Sequence, residues 1–203
     1  MSTKMFKTDR RIVKSKKALK ETILLLMQQK DFKEISIKDI VEFADLNRGT
    51  FYKHYQYKED ILDDIIDEVI TDLIESYREP YKNTETFEVS KLTSKAIKIF
   101  EHVYKYSDFY TLIVRSSALT GFQNKICDVL KDLTIQDLSS QSSNPNINRE
   151  IVASYHSYAI LGMIIEWIKG GFTYSPSYMA EQLLEIIQNK QANAVIKPTL
   201  RKG

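Results

Sequence analysis

The residues from Asn47 to Tyr55 combine side chains that can bind nucleic acid with apolar side chains that can anchor a short helix. The run is Asn-Arg-Gly-Thr-Phe-Tyr-Lys-His-Tyr. On a helix, Arg48 and Tyr52 share one face because they are four residues apart. Their guanidinium and hydroxyl groups, with the neighbouring amine and imidazole, suit base edges and phosphate oxygens. The pattern predicts a helix that enters the major groove of DNA; the alternative is an ordinary amphipathic turn.

Local signals predict where this helix begins and which face turns inward. Asn47 is a favourable N-cap because its side chain can accept hydrogen bonds from the free N–H groups of the first turn. Leu46 and Phe51 have the spacing of a hydrophobic staple, which fixes the direction in which the chain enters the helix. Phe51 and Tyr55 are also four residues apart, so we expect both rings to face the core.

A second short helix is predicted directly upstream. Ser36-Ile37-Lys38-Asp39 has the form of a capping box. One stripe of the following two turns is apolar, consisting of Ile37, Ile40, Val41 and Ala44. Asp45 and Leu46 leave only a short turn before Asn47, and two short helices joined by such a turn form a helix-turn-helix.

Three segments, Ile35–Val41, Asn47–Tyr55 and Lys58–Leu62, resemble the TetR family of bacterial transcriptional regulators. The Gly-Thr-Phe-Tyr-x-His-Tyr run followed by Lys58 is far more specific than a generic helix-turn-helix pattern. The detailed resemblance covers residues 8–68. Asp45 occupies a turn position where many members have Gly, and Asp tolerates a positive φ better than most residues do.

The resemblance implies a function and an assembly. It implies a ligand-responsive repressor that binds a pseudo-palindromic double-stranded DNA operator as a homodimer and responds to a small-molecule effector. It further implies that Lys58 contacts phosphate, that the helix beginning there transmits ligand binding, and that the last two long helices form the dimer interface. The predicted DNA-binding residues are Ser36, Asn47, Arg48, Gly49, Thr50, Tyr52, Lys53, His54 and Lys58. The predicted interface residues are Ile164, Ile168, Ala180, Leu183, Leu184 and Ile187.

The charge distribution is consistent with DNA binding. Residues 1–58 contain 14 Lys and Arg against 7 Asp and Glu, whereas the remaining residues contain 15 against 20. A basic front end on an acidic body is an electrostatic footprint of nucleic-acid binding, although a solvated charged face is the alternative. We expect some basic residues of the first helix, among Arg10, Arg11, Lys14, Lys16, Lys17 and Lys20, to face phosphates. Residues 1–10 lack the apolar core of a signal peptide, so the expected compartment is cytoplasmic.

The whole chain is predicted to be all-α, because its 203 residues contain only 6 Gly and 4 Pro. We expect about nine helices: a three-helix DNA-binding head over residues 8–68, a helical ligand-binding and dimerisation body over 69–190, and a tail over 191–203. The predicted long helices are 9–29, 58–77, 87–106, 108–117, 120–138, 148–169 and 176–189. Helix 148–169 is apolar almost all round. A buried central helix is favoured over a membrane span because the segment also contains polar residues and lacks flanking anchors.

Aromatic residues of the second half predict a mostly apolar ligand pocket, with plain core packing as the alternative. The predicted lining residues are Phe100, Tyr104, Phe109, Tyr110, Phe122, Tyr155 and Trp167.

An enzyme is not expected. His54, His102 and His156 form no metal-ligand spacing, Cys127 has no neighbouring ligand, and no phosphate loop or nucleophile elbow occurs, so no cofactor or metal is predicted.

Two hypotheses for the control of the protein follow. In the first, a small molecule enters the body and changes the affinity for DNA. In the second, a protein partner controls a regulator or co-activator that has no small-molecule pocket. An aromatic-lined cavity would favour the first hypothesis, and a packed core with an exposed apolar patch would favour the second.

Overall fold

The computed structural model describes residues 2–82, 91–115, 121–137 and 148–188, and the described chain is all-helical. Its α-helices are α1 (Ser2–Gln29), α2 (Ile37–Phe43), α3 (Arg48–Tyr52), α4 (Lys58–Arg78), α5 (Ile99–Lys105), α6 (Ser107–Arg115), α7 (Phe122–Asp137), α8 (Arg149–Lys169) and α9 (Pro176–Gln188). Short 3₁₀ turns occur at Phe32–Glu34, Glu79–Tyr81 and Ser94–Ala96. The predicted all-α class with about nine helices is confirmed over these residues. Tail residues 191–203 lie outside them.

The first three helices and the start of α4 enclose a small apolar core. Leu19, Ile23, Ile40, Phe51 and Ile61 are fully buried there. The helix α1 packs on both α2 and α4, and α2 packs on α3. Burial of large aliphatic and aromatic side chains is the main stabilising contribution in so small a unit.

The helix α4 connects this head to the body. Ile61, Ile65, Val69 and Leu73 are buried at intervals of four residues, which places them along one stripe. The stripe is long enough for α4 to contact α1 as well as α5 and α7. The helix α4 therefore contacts helices of both the head and the body.

In the body, α8 packs mainly on α7 and also on α6, while α5 packs on α9. One face of α8 is buried, comprising Ala153, Ser157, Leu161, Ile164, Trp167 and Ile168. By length and composition alone α8 could also span a membrane. Among the described residues one face of α8 packs on α7 and α6 while Ile151, Tyr155 and Tyr158 are exposed, so the predicted buried position holds for one face only.

The predicted helix over residues 87–106 is wrong in its first half as far as the structure describes it. Residues 83–90 lie outside the described part, Ser94–Ala96 form a 3₁₀ turn, and α5 begins at Ile99. Ile97 is extended, with φ −76° and ψ 100°. Ile97 and Ile99 are both buried, and two residues separated by two positions face opposite sides of an α-helix. The break in the helix allows both side chains to reach the core.

Candidate nucleic-acid interface

Ser36 begins α2 with a complete capping box. The Ser36 Oγ atom accepts a hydrogen bond from the Asp39 backbone N–H at 3.1 Å, and Asp39 Oδ2 accepts from the Ser36 N–H at 2.9 Å. Lys30 Nζ adds an ion pair to the same carboxylate at 2.9 Å. The backbone bond from Ser36, followed by the bond from Lys30, lowers the pKa of Asp39 to about 2. Ser36 is thus first a helix cap, and its exposed hydroxyl stays at the surface of the head.

Asn47 begins α3 in the same way. Its Oδ1 atom accepts from the Thr50 backbone N–H at 2.8 Å and from the Thr50 hydroxyl at 3.1 Å. A Cβ atom at Gly49 would lie 3.2 Å from Asn47 Oδ1. Glycine therefore leaves room for the capping oxygen, and the cap uses the proton of the Thr50 hydroxyl.

The apolar face of α3 is anchored as the spacing predicts. Phe51 is fully buried and Tyr55 nearly so. The Tyr55 hydroxyl donates to Asp64 Oδ2 of α4 at 2.7 Å. Burial, followed by this bond, raises the pKa of Tyr55. Burial opposes ionisation of Asp64, but bonds from Lys16, Tyr55 and Lys20 outweigh it and lower its pKa to about 2. The segment that follows α3 is thereby attached to α4 by a charge-assisted hydrogen bond.

The opposite face of α3 is open to solvent. Arg48, Gly49, Tyr52 and Lys53 are all exposed, and Tyr52 retains 59% of its accessible surface. The Tyr52 ring also packs edge-on against buried Phe51, with ring centroids 5.3 Å apart. This contact restrains one edge of the ring, and more than half of the side chain stays accessible to solvent. The surface combines the guanidinium and phenol of a five-residue helix with the amine of Lys53, the residue that caps its C-terminal end.

His54 lies behind this surface and contacts α1. Its Nε2 atom is 2.8 Å from Ser15 Oγ. The Ser15 hydroxyl has a single proton, which it donates to the carbonyls of Arg11 and Ile12. The geometry therefore assigns the donor role to His54 Nε2. Burial, with the charges of Lys16 and Lys53, lowers the pKa of His54 and favours the neutral ring. In this structure His54 holds the end of α3 against α1, a role that the sequence pattern did not indicate.

Lys58 is directed into the head. Its Nζ atom donates to the carbonyl oxygens of Phe32 at 2.7 Å, Ile35 at 2.8 Å and Lys33 at 3.4 Å. These carbonyls belong to the 3₁₀ turn at Phe32–Glu34 and the residue after it, and the Phe32 oxygen also accepts from the Ile35 backbone N–H at 3.2 Å. All three N–H donors of the ammonium face backbone oxygens, so the phosphate contact expected from the resemblance would require the side chain to leave this position.

The basic residues of α1 divide into two groups. Lys16 and Lys20 point towards α4, with Nζ atoms 2.8 Å from Asp64 and 2.8 Å from Glu68, respectively. Exposed side chains form the other group, namely Arg10, Arg11, Lys14 and Lys17. This second group lies at the surface in the described structure, where Lys17 also pairs with Glu21 at 3.7 Å.

The aromatic residues predicted to line a pocket form two packed clusters. Phe109 contacts Tyr110 and Phe122 with ring centroids 6.0 and 5.1 Å away. Trp167 contacts Phe100 at 5.8 Å and Tyr104 at 6.3 Å. Tyr155 belongs to neither cluster, because it lies on the outer face of α8 and is 70% exposed. It lines an open groove of about 660 Å³ between α7 and α8. The predicted pocket residues therefore lie in two separate clusters of packed rings, and Tyr155 belongs to neither of them.

The residues predicted for the dimer interface also divide. Ile164, Ile168, Ala180 and Leu183 are buried within the protomer, whereas Leu184 is half-buried and Ile187 is exposed. The four buried side chains already have intrachain partners, so they cannot also present a surface to a second chain. On α8 the exposed large apolar side chains are instead Ile151, Tyr155 and Tyr158. A helix that is apolar all round does not reveal from its sequence which stripe packs inside its own chain.

Family models match both halves of the chain. A model described as bacterial regulatory proteins, tetR family, matches residues 21–65, and one described as a transcriptional regulator C-terminal region of the TetR type matches residues 90–189. The uncharacterized HTH-type transcriptional regulator YxbF of Bacillus subtilis is 22% identical over 176 residues, which are 85% of this chain and 44% of that relative. The chain thus spans less than half the length of this curated relative.

Solved structures share the fold at low identity. A TetR-family transcriptional regulator from Syntrophomonas wolfei has a TM-score of 0.63 and 18% identity, covering 85% of this chain and 92% of that one. The dihydroxyacetone kinase operon activator DhaS has a TM-score of 0.59 and 18% identity, covering 85% and 93%. The head carries the tetR-type helix-turn-helix and the body its C-terminal counterpart, and the chain belongs to the TetR family of bacterial transcriptional regulators.

Proposed function

We propose that this protein is a DNA-binding transcriptional regulator that recognises its site through α3. The observation that carries the proposal is the division of α3 into two faces. Phe51 is buried, Tyr55 just beyond α3 is bonded to α4, and Arg48, Tyr52 and Lys53 are exposed together on the other side. A guanidinium can bond a guanine edge in bidentate fashion, and an exposed lysine can pair with phosphate.

We further propose that the active form is a homodimer. A helix of five residues contacts only a few base pairs, and a two-fold partner doubles the site, with half-sites about 34–36 Å apart or a multiple of that distance. The exposed apolar face of α8, with Ile151, Tyr155 and Tyr158, supports this assembly. Ile186 and Ile187 of α9 add further exposed apolar surface. Large exposed apolar side chains on one face mark an interaction surface.

For control of the regulator, the first hypothesis is repression at an operator that a small molecule relieves. Its support is the family resemblance and the phenol and indole groups among the body's aromatic rings. The second is control by a protein partner, and its support is the close packing of both aromatic clusters together with the exposed apolar patch on α8. Ligand binding to the body would require one of these clusters to open, which a thermal-shift screen of aromatic and aliphatic compounds detects as stabilisation.

The decisive experiment for DNA binding uses a duplex that the unmodified protein selects from a random-sequence library. Arg48→Ala is expected to weaken binding to that duplex by roughly 1–3 kcal/mol and to relax sequence preference at one position in each half-site. Lys95→Ala, an exposed lysine of the body, is the control and should leave the affinity unchanged. Unaltered binding by a folded Arg48→Ala/Tyr52→Ala double variant would refute the assignment of α3.

A further inference from the structure

Three carboxylates form a ladder along the face of α4 that lies between the head and the body. Asp64, Glu68 and Asp72 are spaced by four residues, so they are stacked one helical turn apart. This carboxylate ladder passes from α1 at one end to α5 at the other. Neither the helix-turn-helix pattern nor the apolar periodicity of α4 indicates it.

The lower end of the ladder holds the DNA-binding head. Asp64 Oδ2 lies 2.8 Å from Lys16 Nζ and 2.7 Å from the hydroxyl of Tyr55, the residue that closes the recognition segment. Lys20 bridges the next step, with its Nζ 3.2 Å from Asp64 and 2.8 Å from Glu68. These contacts attach both α1 and the end of the recognition segment to the same face of α4.

The upper end of the ladder holds the body. The Tyr106 hydroxyl donates to Glu68 Oε1 at 3.2 Å, and Asp72 forms an ion pair with Lys105. Asp72 Oδ2 also lies 2.6 Å from His102 Nδ1, and His102 Nε2 lies 2.8 Å from the Tyr110 hydroxyl. Because the carboxylate of Asp72 can only accept, the neutral imidazole donates from Nδ1 and accepts the tyrosine proton at Nε2.

The end of this chain of contacts is deeply buried. The residues His102 and Tyr110 are 2% and 1% exposed, and their rings lie 5.6 Å apart. Each ring nitrogen has one protein partner, Asp72 or Tyr110. Losing one of these hydrogen bonds leaves a buried polar group unsatisfied, which is costly. We therefore expect the contacts of His102 to be either all formed or all broken, and not to be stretched gradually.

We propose that His102 and Tyr110 are positioning residues for DNA binding: through Asp72 they set the placement of α4, and the carboxylate ladder carries that placement to the recognition segment at Tyr55. The inference rests on the proposed DNA-binding function. Neither residue contacts DNA in this scheme. Their effect reaches the operator because α4 belongs to the head by its packing on α1 and to the body by its packing on α5.

The test measures the dissociation constant for the selected duplex, by fluorescence anisotropy at several salt concentrations. Tyr110→Phe removes only the hydroxyl at the end of the chain, Asp72→Asn removes the charge at its centre, and Tyr106→Phe removes a half-buried hydroxyl with little risk to folding. There are two matched controls. Tyr104→Phe changes a half-exposed tyrosine of α5. Asp67→Asn changes an exposed carboxylate of α4 that forms no ion pair among the described residues.

Tyr110→Phe and Asp72→Asn are each expected to change the dissociation constant in the same direction by about fivefold or more, within the usual range of coupling between sites. The double variant should change it little further, because both substitutions interrupt the same chain of contacts through His102 and effects within one such chain are not additive. The salt slope should equal that of the parent, since no phosphate contact is lost. The controls should bind within about twofold of the parent.

The possible failures are distinguishable. This inference would be overturned if the folded variants Tyr110→Phe, Asp72→Asn and Tyr106→Phe all bound the duplex with parental affinity. The proposed function would remain intact. Additive effects with a lowered melting temperature would also overturn it, because they indicate a purely structural role. If the parent selects no specific duplex, the proposed function itself fails. If Tyr110→Phe does not fold, the comparison of Asp72→Asn with Asp67→Asn decides the question, because Asp72 bonds His102 directly.

Discussion

The ammonium of Lys58 caps the backbone of Phe32. Its Nζ atom lies 2.7 Å from the Phe32 carbonyl oxygen and 4.5 Å from the centroid of the Phe32 ring. The same side chain thus satisfies the carbonyls of a 3₁₀ turn and makes a cation–π contact. Lys58 joins the start of α4 to the loop between α1 and α2, so it stabilises the head from within.

Replacement of Lys58 by Met is expected to lower the free energy of unfolding. The apolar stem remains, but the Ile35 carbonyl loses its ammonium donor and the Phe32 carbonyl keeps only the Ile35 N–H, at a cost of roughly 1–3 kcal/mol. The salt slope of DNA binding should stay at the parental value, because the ammonium does not face solvent. Urea unfolding and salt-dependent DNA binding measure the two quantities.

Lys53→Met is the matched control for Lys58, because Lys53 is exposed beside α3. It should leave stability unchanged and lower the salt slope by about one. A Lys58→Met protein that is as stable as the parent but has the lowered slope would show that Lys58 contacts phosphate, as the family resemblance implies.

Substitutions at Asn47 separate helix capping from DNA contact. Asn47→Ala removes the acceptor for the Thr50 N–H and hydroxyl, so it should cost about 1 kcal/mol of stability. Asn47→Asp keeps the cap and adds a negative charge at the DNA-facing end of α3. It should keep parental stability and weaken DNA binding. Equal DNA affinity of the Asp variant and the parent would place the start of α3 away from the phosphate backbone.

The helix-turn-helix was predictable because its determinants are local. The capping box at Ser36, the cap at Asn47 and the inward pair Phe51 and Tyr55 all involve residues within four positions of one another. Asp45 adopts a φ of 51°, as expected at a turn position where many family members have Gly. Such short-range signals can be identified from the residue types and their spacing in the sequence.

The partners of the polar residues were not predictable in the same way. Ser15 and His54 are 39 positions apart, and Asp72 and His102 are 30 apart. Such contacts depend on how the helices cross, and a single sequence has no local signal for this. Similarly, the sequence predicts that α8 is apolar all round but does not indicate that Ile164 faces the core while Tyr155 faces outward.

The stability of the protein should fall as the pH decreases below about 6.5, in part because of His102. Burial lowers the pKa of His102, and the bond to Asp72 offsets this only partly. The groups that face the ring are Asp72 of α4, Lys105 and Tyr106 at the end of α5, and Tyr110 of α6. Below the ordinary histidine pKa the unfolded chain therefore binds more protons than the folded chain, and stability is lost as the pH falls.

His102→Gln should reduce this pH dependence between pH 6.5 and 5 by up to about 1.4 kcal/mol per pH unit, the value for one proton. Tyr104→Phe is the control, since it alters a half-exposed side chain of α5 and removes no histidine, and should leave the slope unchanged. Urea unfolding at several pH values gives the slopes. Identical slopes for His102→Gln and the parent would mean that His102 binds its proton equally in both states.

A charged residue at Tyr155 should dissociate the proposed homodimer without unfolding the protomer. Tyr155 is 70% exposed, and with Ile151 and Tyr158 it forms the apolar face of α8 beside the groove that also contains Lys131. A two-fold interface brings the same patch of each chain together, so Tyr155→Glu places two carboxylates in one apolar contact. Leu183→Glu should instead unfold the protomer, because Leu183 is already buried within it.

Sedimentation velocity at micromolar concentration, with circular dichroism to monitor folding, distinguishes these outcomes. Phe43→Glu is the matched control because Phe43 is an exposed aromatic residue on α2, with 60% of its surface accessible. It should leave assembly unchanged. A parent protein that sediments as a stable monomer, or a Tyr155→Glu variant that remains dimeric, would show that the exposed face of α8 is not the dimer interface and would leave it as a surface for the protein partner of the second hypothesis.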